Sequence, residues 1–152
     1  MEHGQSFDEA VRYCQEIGVA ETDPSNDIDG WDAAVKVAAL ARVLMKAPLE
    51  PDQVERGGIR EITAEQIAAA RTAGRRYKVV CSAKREGARL RARVLPEALP
   101  LTDPLAQVGG TSSLIAFETD VLPELAIHEI NPGLEAAAYG LLTDFLRAVK
   151  ES

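Results

Sequence analysis

The sequence predicts an α+β domain in which helices pack on one side of a mainly antiparallel or mixed sheet. Three observations carry that expectation. Two capping boxes, Ser6 with Glu9 and Thr63 with Gln66, open helical patterns in the first half of the chain. From Tyr77 the spacing of apolar residues shortens to two, the period of a half-buried strand. The strands that follow cluster late and are not separated by regular crossover helices, which is the order of an α+β arrangement. The 152 residues, 46% hydrophobic and 27% charged, suffice to bury about two thirds of the unfolded surface around one core. No internal repeat or low-complexity linker divides them, so residues 1–152 are read as a single domain.

The first helix starts at Ser6 and ends before Gly18, with Phe7, Ala10, Val11, Cys14 and Ile17 on its apolar side. Pro24, Ser25, Asn26 and Gly30 then mark a loop that carries Glu21, Asp23 and Asp27. Trp31, Val35, Ala38 and Arg42 or Val43 recur at helical spacing and predict a second helix from Trp31 to Met45, with Asp29 or Gly30 as its N-cap. Pro48 and Pro51 stop that pattern, and Gly57-Gly58 turn the chain before a short apolar run from Ile59 to Ile62. A third helix, Ala64 to Ala73, ends at Gly74, where Arg71, Arg75 and Arg76 complement the helix dipole. Tyr77 to Lys84 and Ala88 to Leu95 read as a hairpin with Lys78, Lys84, Arg89, Arg91 and Arg93 on one solvent face. Pro96, Pro100 and Pro104 predict an irregular connection. Ser113 to Glu118 and Glu124 to Ile130 are further strands, and Leu134 to Val149 is a last amphipathic helix.

Composition excludes several classes. A formal charge of −7 argues against nucleic acid, which requires clustered Lys and Arg to displace counterions. It also disfavours an anionic membrane surface. No apolar run approaches the roughly twenty residues of a membrane span, and the first residues lack the basic and apolar parts of a signal peptide. The cytoplasm is therefore the expected compartment. Cys14 and Cys81 are too few and too far apart for a disulfide framework, and His3 and His128 have no metal-ligand spacing to them. The expectation is no resident metal. Asp27-Ile28-Asp29-Gly30 imitates the core of a calcium loop, but that register places Lys36 where a bidentate Glu is required.

The chemistry concentrates in residues 21–36. Asp32 and Lys36 lie four apart on one helical face, acid N-terminal to base, a spacing that usually means a solvated ion pair worth a few tenths of a kcal/mol. A longer pattern encloses the pair: Asp23-Pro24, Asp27-Ile28, Gly30, Asp32 and Lys36. This stretch resembles the signature of the substrate domain of homoserine dehydrogenase. The likeness continues through Gly18, Ala20-Glu21, Gly58-Ile59, Ile62-Thr63, Arg93-Val94 with Pro96, and Pro104-Leu105-Ala106 with Val108 and Gly110, so it covers nearly the whole chain.

The resemblance implies reversible interconversion of aspartate semialdehyde and homoserine with NAD or NADP, a step of amino-acid biosynthesis. Lys36 would be the proton donor and partner of the developing oxyanion, held by Asp32. Glu21 and Asp27 would bind the substrate's α-ammonium, leaving Asp23 and Asp29 as loop-structuring acids. Homodimerisation through the sheet is also implied. Two departures qualify the likeness. Asn131-Pro132-Gly133-Leu134 replaces a turn that is richer in glycine in the family, and no Gly-x-Gly-x-x-Gly turn between a strand and a helix exists to cradle a dinucleotide. The chain is therefore expected to be an excised or truncated substrate domain that binds no nucleotide and is inactive alone. The alternative is a non-catalytic dimerisation or regulatory module that retains the fold. The reading frame upstream would discriminate between the two.

Overall fold

The computed structural model describes residues 4–150, so His3 lies outside the described residues. They form two compact units, up to Ala106 and from Gln107 onward.

The first unit begins with α1 (Phe7–Glu16), capped as the sequence requires. The Ser6 hydroxyl accepts from the Glu9 amide while the Glu9 carboxylate accepts from the Ser6 amide at 2.8 Å. That amide bond foremost, and a second from the Ser6 hydroxyl at 2.9 Å, hold the Glu9 carboxyl below its ordinary range. A one-turn helix, α2 (Ser25–Ile28), and the long α3 (Trp31–Met45) follow. Gly30, not Asp29, is the N-cap of α3, with φ of 77° that an L side chain adopts only with strain. At the other end Lys46 is also left-handed, and the Arg85 guanidinium donates to the Met45 carbonyl at 2.7 Å, placing a cation on the negative end of the helix.

A three-stranded mixed sheet orders β1 (Glu55–Arg56), β3 (Arg89–Pro100) and β2 (Arg75–Glu86), with β1 parallel and β2 antiparallel to β3. The α+β class with a mixed sheet is as the sequence predicts. Between β1 and β2, α4 (Ala64–Thr72) is closed by its own capping box and packs on β2. The core is where α3 lies on the sheet. Ala34, Ala38 and Ala41 are at most 3% exposed, small enough to bring the helix close to Ala92 and to the fully buried Val94.

Several details differ from expectation for identifiable reasons. The hairpin strands run further than predicted, to Arg75 and Pro100, so Pro96 lies inside a strand, opposite Val79. Gly57 donates to the Val94 carbonyl at 2.8 Å, so Val94 faces β1. Pro96, two residues on, has the same phase, and its missing N–H falls on the side away from β2, where no ladder bond is lost. The turn is Gly87-Ala88, with φ of 62° at Gly87. β1 was not expected, and residues 59–62 form a turn closed by Ile62 N–H to Ile59 C=O at 3.2 Å. The predicted basic face is real in register, but Arg91 and Arg93 are paired with Glu55 at 3.2 and 3.4 Å. Arg75 of the helix-end cluster donates through Nε to the Ala98 carbonyl at 2.8 Å.

The first unit ends within the short α5 (Pro104–Gln107). In the second, β4 (Ser113–Phe117) and β5 (Leu125–Glu129) pair antiparallel as a separate sheet, followed by α6 (Leu134–Lys150). The strand and helix positions agree with the sequence to within a residue or so. No described residue from Gln107 onward is buried, and Leu134, Leu141 and Phe145 of α6 are 86%, 75% and 64% exposed. No described helix is long and apolar enough to cross a membrane.

Candidate active site

The acidic loop, α2 and α3 build one open cleft of about 630 Å³ in the first unit. The loop is tied back to α1 at its start. The Gln15 side-chain amide donates to the carbonyls of Glu21 and Thr22 at 3.0 and 3.1 Å, and the Ala20 N–H donates to the Cys14 carbonyl at 3.0 Å. These bonds fix the backbone on which Glu21 stands. Asp27 does not ride on a loop as expected, because Pro24 starts the helical turn of α2 and Ile28, 7% exposed, anchors its end in the core.

All four residues singled out by sequence, Glu21, Asp27, Asp32 and Lys36, line this cleft, with Asp23. Trp31, Val19 and Val35 add apolar wall. Lys36 Nζ lies 2.6 Å from Asp32 Oδ2, one turn apart on α3, with the two side chains 72% and 44% exposed. An ion pair so solvated adds little to stability. Its chemical potential is different: four carboxylates around one ammonium make a cleft that attracts a cationic group and presents one proton donor to anything bound there.

Asp23, at the cleft, and Asp29, behind it, are engaged in structural bonds. Asp23 accepts from the Ser25 hydroxyl at 2.6 Å and the Ser25 amide at 3.1 Å, which keeps its carboxyl below the usual carboxylate range. The Asp29 carboxylate is held by Arg60 at 3.1 and 3.4 Å, and that bond raises the guanidinium pKa further. Two residues at the site were missed from sequence. Arg56 stacks on Trp31, and Gly58 packs against the end of α2. Gly58 was legible as a turn residue of the Gly57-Gly58 pair and as part of the family likeness, neither of which says what it touches, and Arg56 had no signal of its own.

The only parallel pairing among the described strands is the two-residue β1, and no glycine-rich turn leads from it into a helix N-terminus.

The homoserine dehydrogenase family model matches residues 1–146. Among curated proteins, the homoserine dehydrogenase of Lactococcus lactis subsp. lactis is 32% identical over 149 residues, covering 98% of this chain and 35% of the relative. The NAD(+)-dependent homoserine dehydrogenase of Pseudomonas canavaninivorans is 32% identical over 147 residues, covering 96% and 42%. The solved homoserine dehydrogenase of S. aureus superposes with a TM-score of 0.86 at 25% identity, over 97% of this chain and 37% of that one. That of Thiobacillus denitrificans gives 0.79 at 28% identity, over 86% and 30%. The chain thus spans well under half the length of these relatives, and the family model covers nearly all of it: it belongs to the homoserine dehydrogenase family.

Proposed function

We propose that this chain is the substrate-binding and proton-transfer part of a homoserine dehydrogenase, interconverting aspartate semialdehyde and homoserine with NAD or NADP held by another part of the enzyme. The observation that carries this reading is the convergence of Glu21, Asp27, Asp32 and Lys36 on one cleft. The nicotinamide, when bound, supplies or accepts the hydride. The residues of this chain do the rest.

As the aldehyde carbon is reduced, negative charge grows on its oxygen. The Lys36 ammonium stabilises that charge and donates the proton that completes the hydroxyl. In the oxidation direction the neutral amine takes the hydroxyl proton back. Asp32, at 2.6 Å, restricts the long lysine side chain to one face of α3. Glu21 and Asp27 bind the α-ammonium of either substrate, fixing which end of the molecule reaches Lys36. The apolar side chains of Val19, Trp31 and Val35 limit the water that would otherwise screen these charges.

Two expected results follow for an enzyme completed by its nucleotide-binding part. Glu21→Gln and Asp27→Asn should each raise KM for homoserine by about tenfold or more, the value of one charge-assisted hydrogen bond, with kcat little changed. An unchanged KM in both variants would remove the ammonium-binding assignment. The isolated chain should show no turnover with either nucleotide, because hydride transfer requires donor and acceptor held about 3 to 3.5 Å apart. Turnover by the isolated chain would refute that division of labour, and a completed enzyme without turnover would favour the regulatory alternative.

A further inference from the structure

The proposed chemistry leaves Arg56 without a role, yet its guanidinium packs on Trp31, part of the cleft's apolar wall. Trp31 is the only tryptophan of the chain. It is the first residue of α3, 40% exposed, and lines the cleft next to Asp32. The Arg56 guanidinium carbon lies 3.9 Å from its ring centroid, well within the range of cation–π attraction. The same guanidinium donates to the carbonyl of Asp29, the residue that ends α2. One half-buried side chain therefore joins the end of α2 to the start of α3, across the left-handed Gly30. Its stem fills the remaining space, since a Cβ on Gly30 would lie 3.3 Å from Arg56 Cγ and 3.4 Å from Val94 Cγ1.

We propose that Arg56 is a positioning residue of the substrate cleft: stacked on Trp31 and bonded to Asp29, it fixes the indole as a wall and sets the turn from which α3 carries Asp32 and Lys36. This rests on the reading of the cleft as the substrate site. The planar, delocalised guanidinium is needed because it must cover a ring face and donate in its own plane at once, which a lysine ammonium does not do. Without it the indole gains rotamers that both uncover and obstruct the cleft, and a bound amino acid must order them again.

The lone tryptophan makes the test direct, by selective excitation of Trp31 in the intact chain. In Arg56→Met, emission should shift to the red and acrylamide quenching should increase. The apparent Kd for homoserine, read from the same emission, should rise about fivefold, the scale of one cation–π contact in a partly desolvated setting. Arg56→Lys, which keeps the charge, should fall between the two. Arg42→Met is the control, because Arg42 secures the far end of the same helix through the Leu49 carbonyl and Glu50. It should lower the Tm while leaving emission and affinity unchanged. Parent-like emission and quenching in both Arg56 variants would overturn the proposal, as would altered emission with unaltered homoserine affinity. A parent chain whose emission ignores homoserine would count against the substrate reading itself. The quenching comparison would then still judge the Trp31 latch, with increased quenching supporting it and unchanged quenching refuting it.

Discussion

Lys36→Ala, in an enzyme completed by its nucleotide-binding part, should lower kcat by about a hundredfold or more, the usual loss for a positioned proton donor or oxyanion partner. The size of the effect depends on enclosure. In water an ammonium about 3 Å from an oxyanion gains about 1.4 kcal/mol, whereas at an effective dielectric near 20 it gains about 5.5 kcal/mol. Lys36 is 72% exposed in the chain described here, so its full effect requires a substrate, and the rest of the enzyme, over the cleft. Asp32→Asn should reduce kcat less than Lys36→Ala, since it leaves the ammonium in place and removes only its orientation. Steady-state kinetics with a full pH profile decides the matter. A near-normal kcat for Lys36→Ala would return the pair to the ordinary surface ion pair that its spacing and exposure otherwise describe.

Much of the site was legible because its residues are consecutive. Glu21 to Lys36 forms one loop-helix unit, and helical periodicity alone places Asp32 and Lys36 on one face. What periodicity does not convey is the support behind them. β1 has only two residues, too short to alternate, and exists because Gly57 donates to the Val94 carbonyl and Arg56 reaches back to Asp29. The partnership of Arg56 with residues 29 and 31 is between segments more than twenty positions apart, and nothing local announces it. Pro96 was read as a strand breaker on the general rule, whereas its phase in β3 turns the missing N–H away from β2. The separate pairing of β4 with β5 was likewise hidden, because the sequence shows that strands exist but not which sheet each joins.

Gly58→Ala should be among the most damaging single-methyl additions in the chain, although Gly58 touches no substrate and has no positive φ. A Cβ built there lies 2.8 Å from the Ile28 carbonyl oxygen and 3.1 Å from Asp29 Cα. Both are backbone atoms, so no side-chain rotation relieves the clash. The segment cannot slide either, since the Ile59 N–H donates to that same Ile28 carbonyl at 2.9 Å and Ile28 itself is anchored in the core. Something in the backbone must give, at a cost of about 1–3 kcal/mol by analogy with overpacked cores, which for a chain of this size lowers the Tm by several degrees. The displaced atoms belong to the end of α2 and the turn into α3, so Asp27 and Asp32 move with them, and KM and kcat should worsen together in the completed enzyme. Gly87→Ala provides the comparison. Its φ is 62° but its Cβ meets nothing within 4 Å, so it carries only the conformational strain of about 1–2 kcal/mol for a left-handed L residue and should leave the kinetics intact. Thermal melts of both variants followed by circular dichroism, paired with kinetics, separate the two costs. A Gly58→Ala chain that melts with the parent would show that α2 is not held against the β1 turn, and the positional account of Asp27 would fall with it.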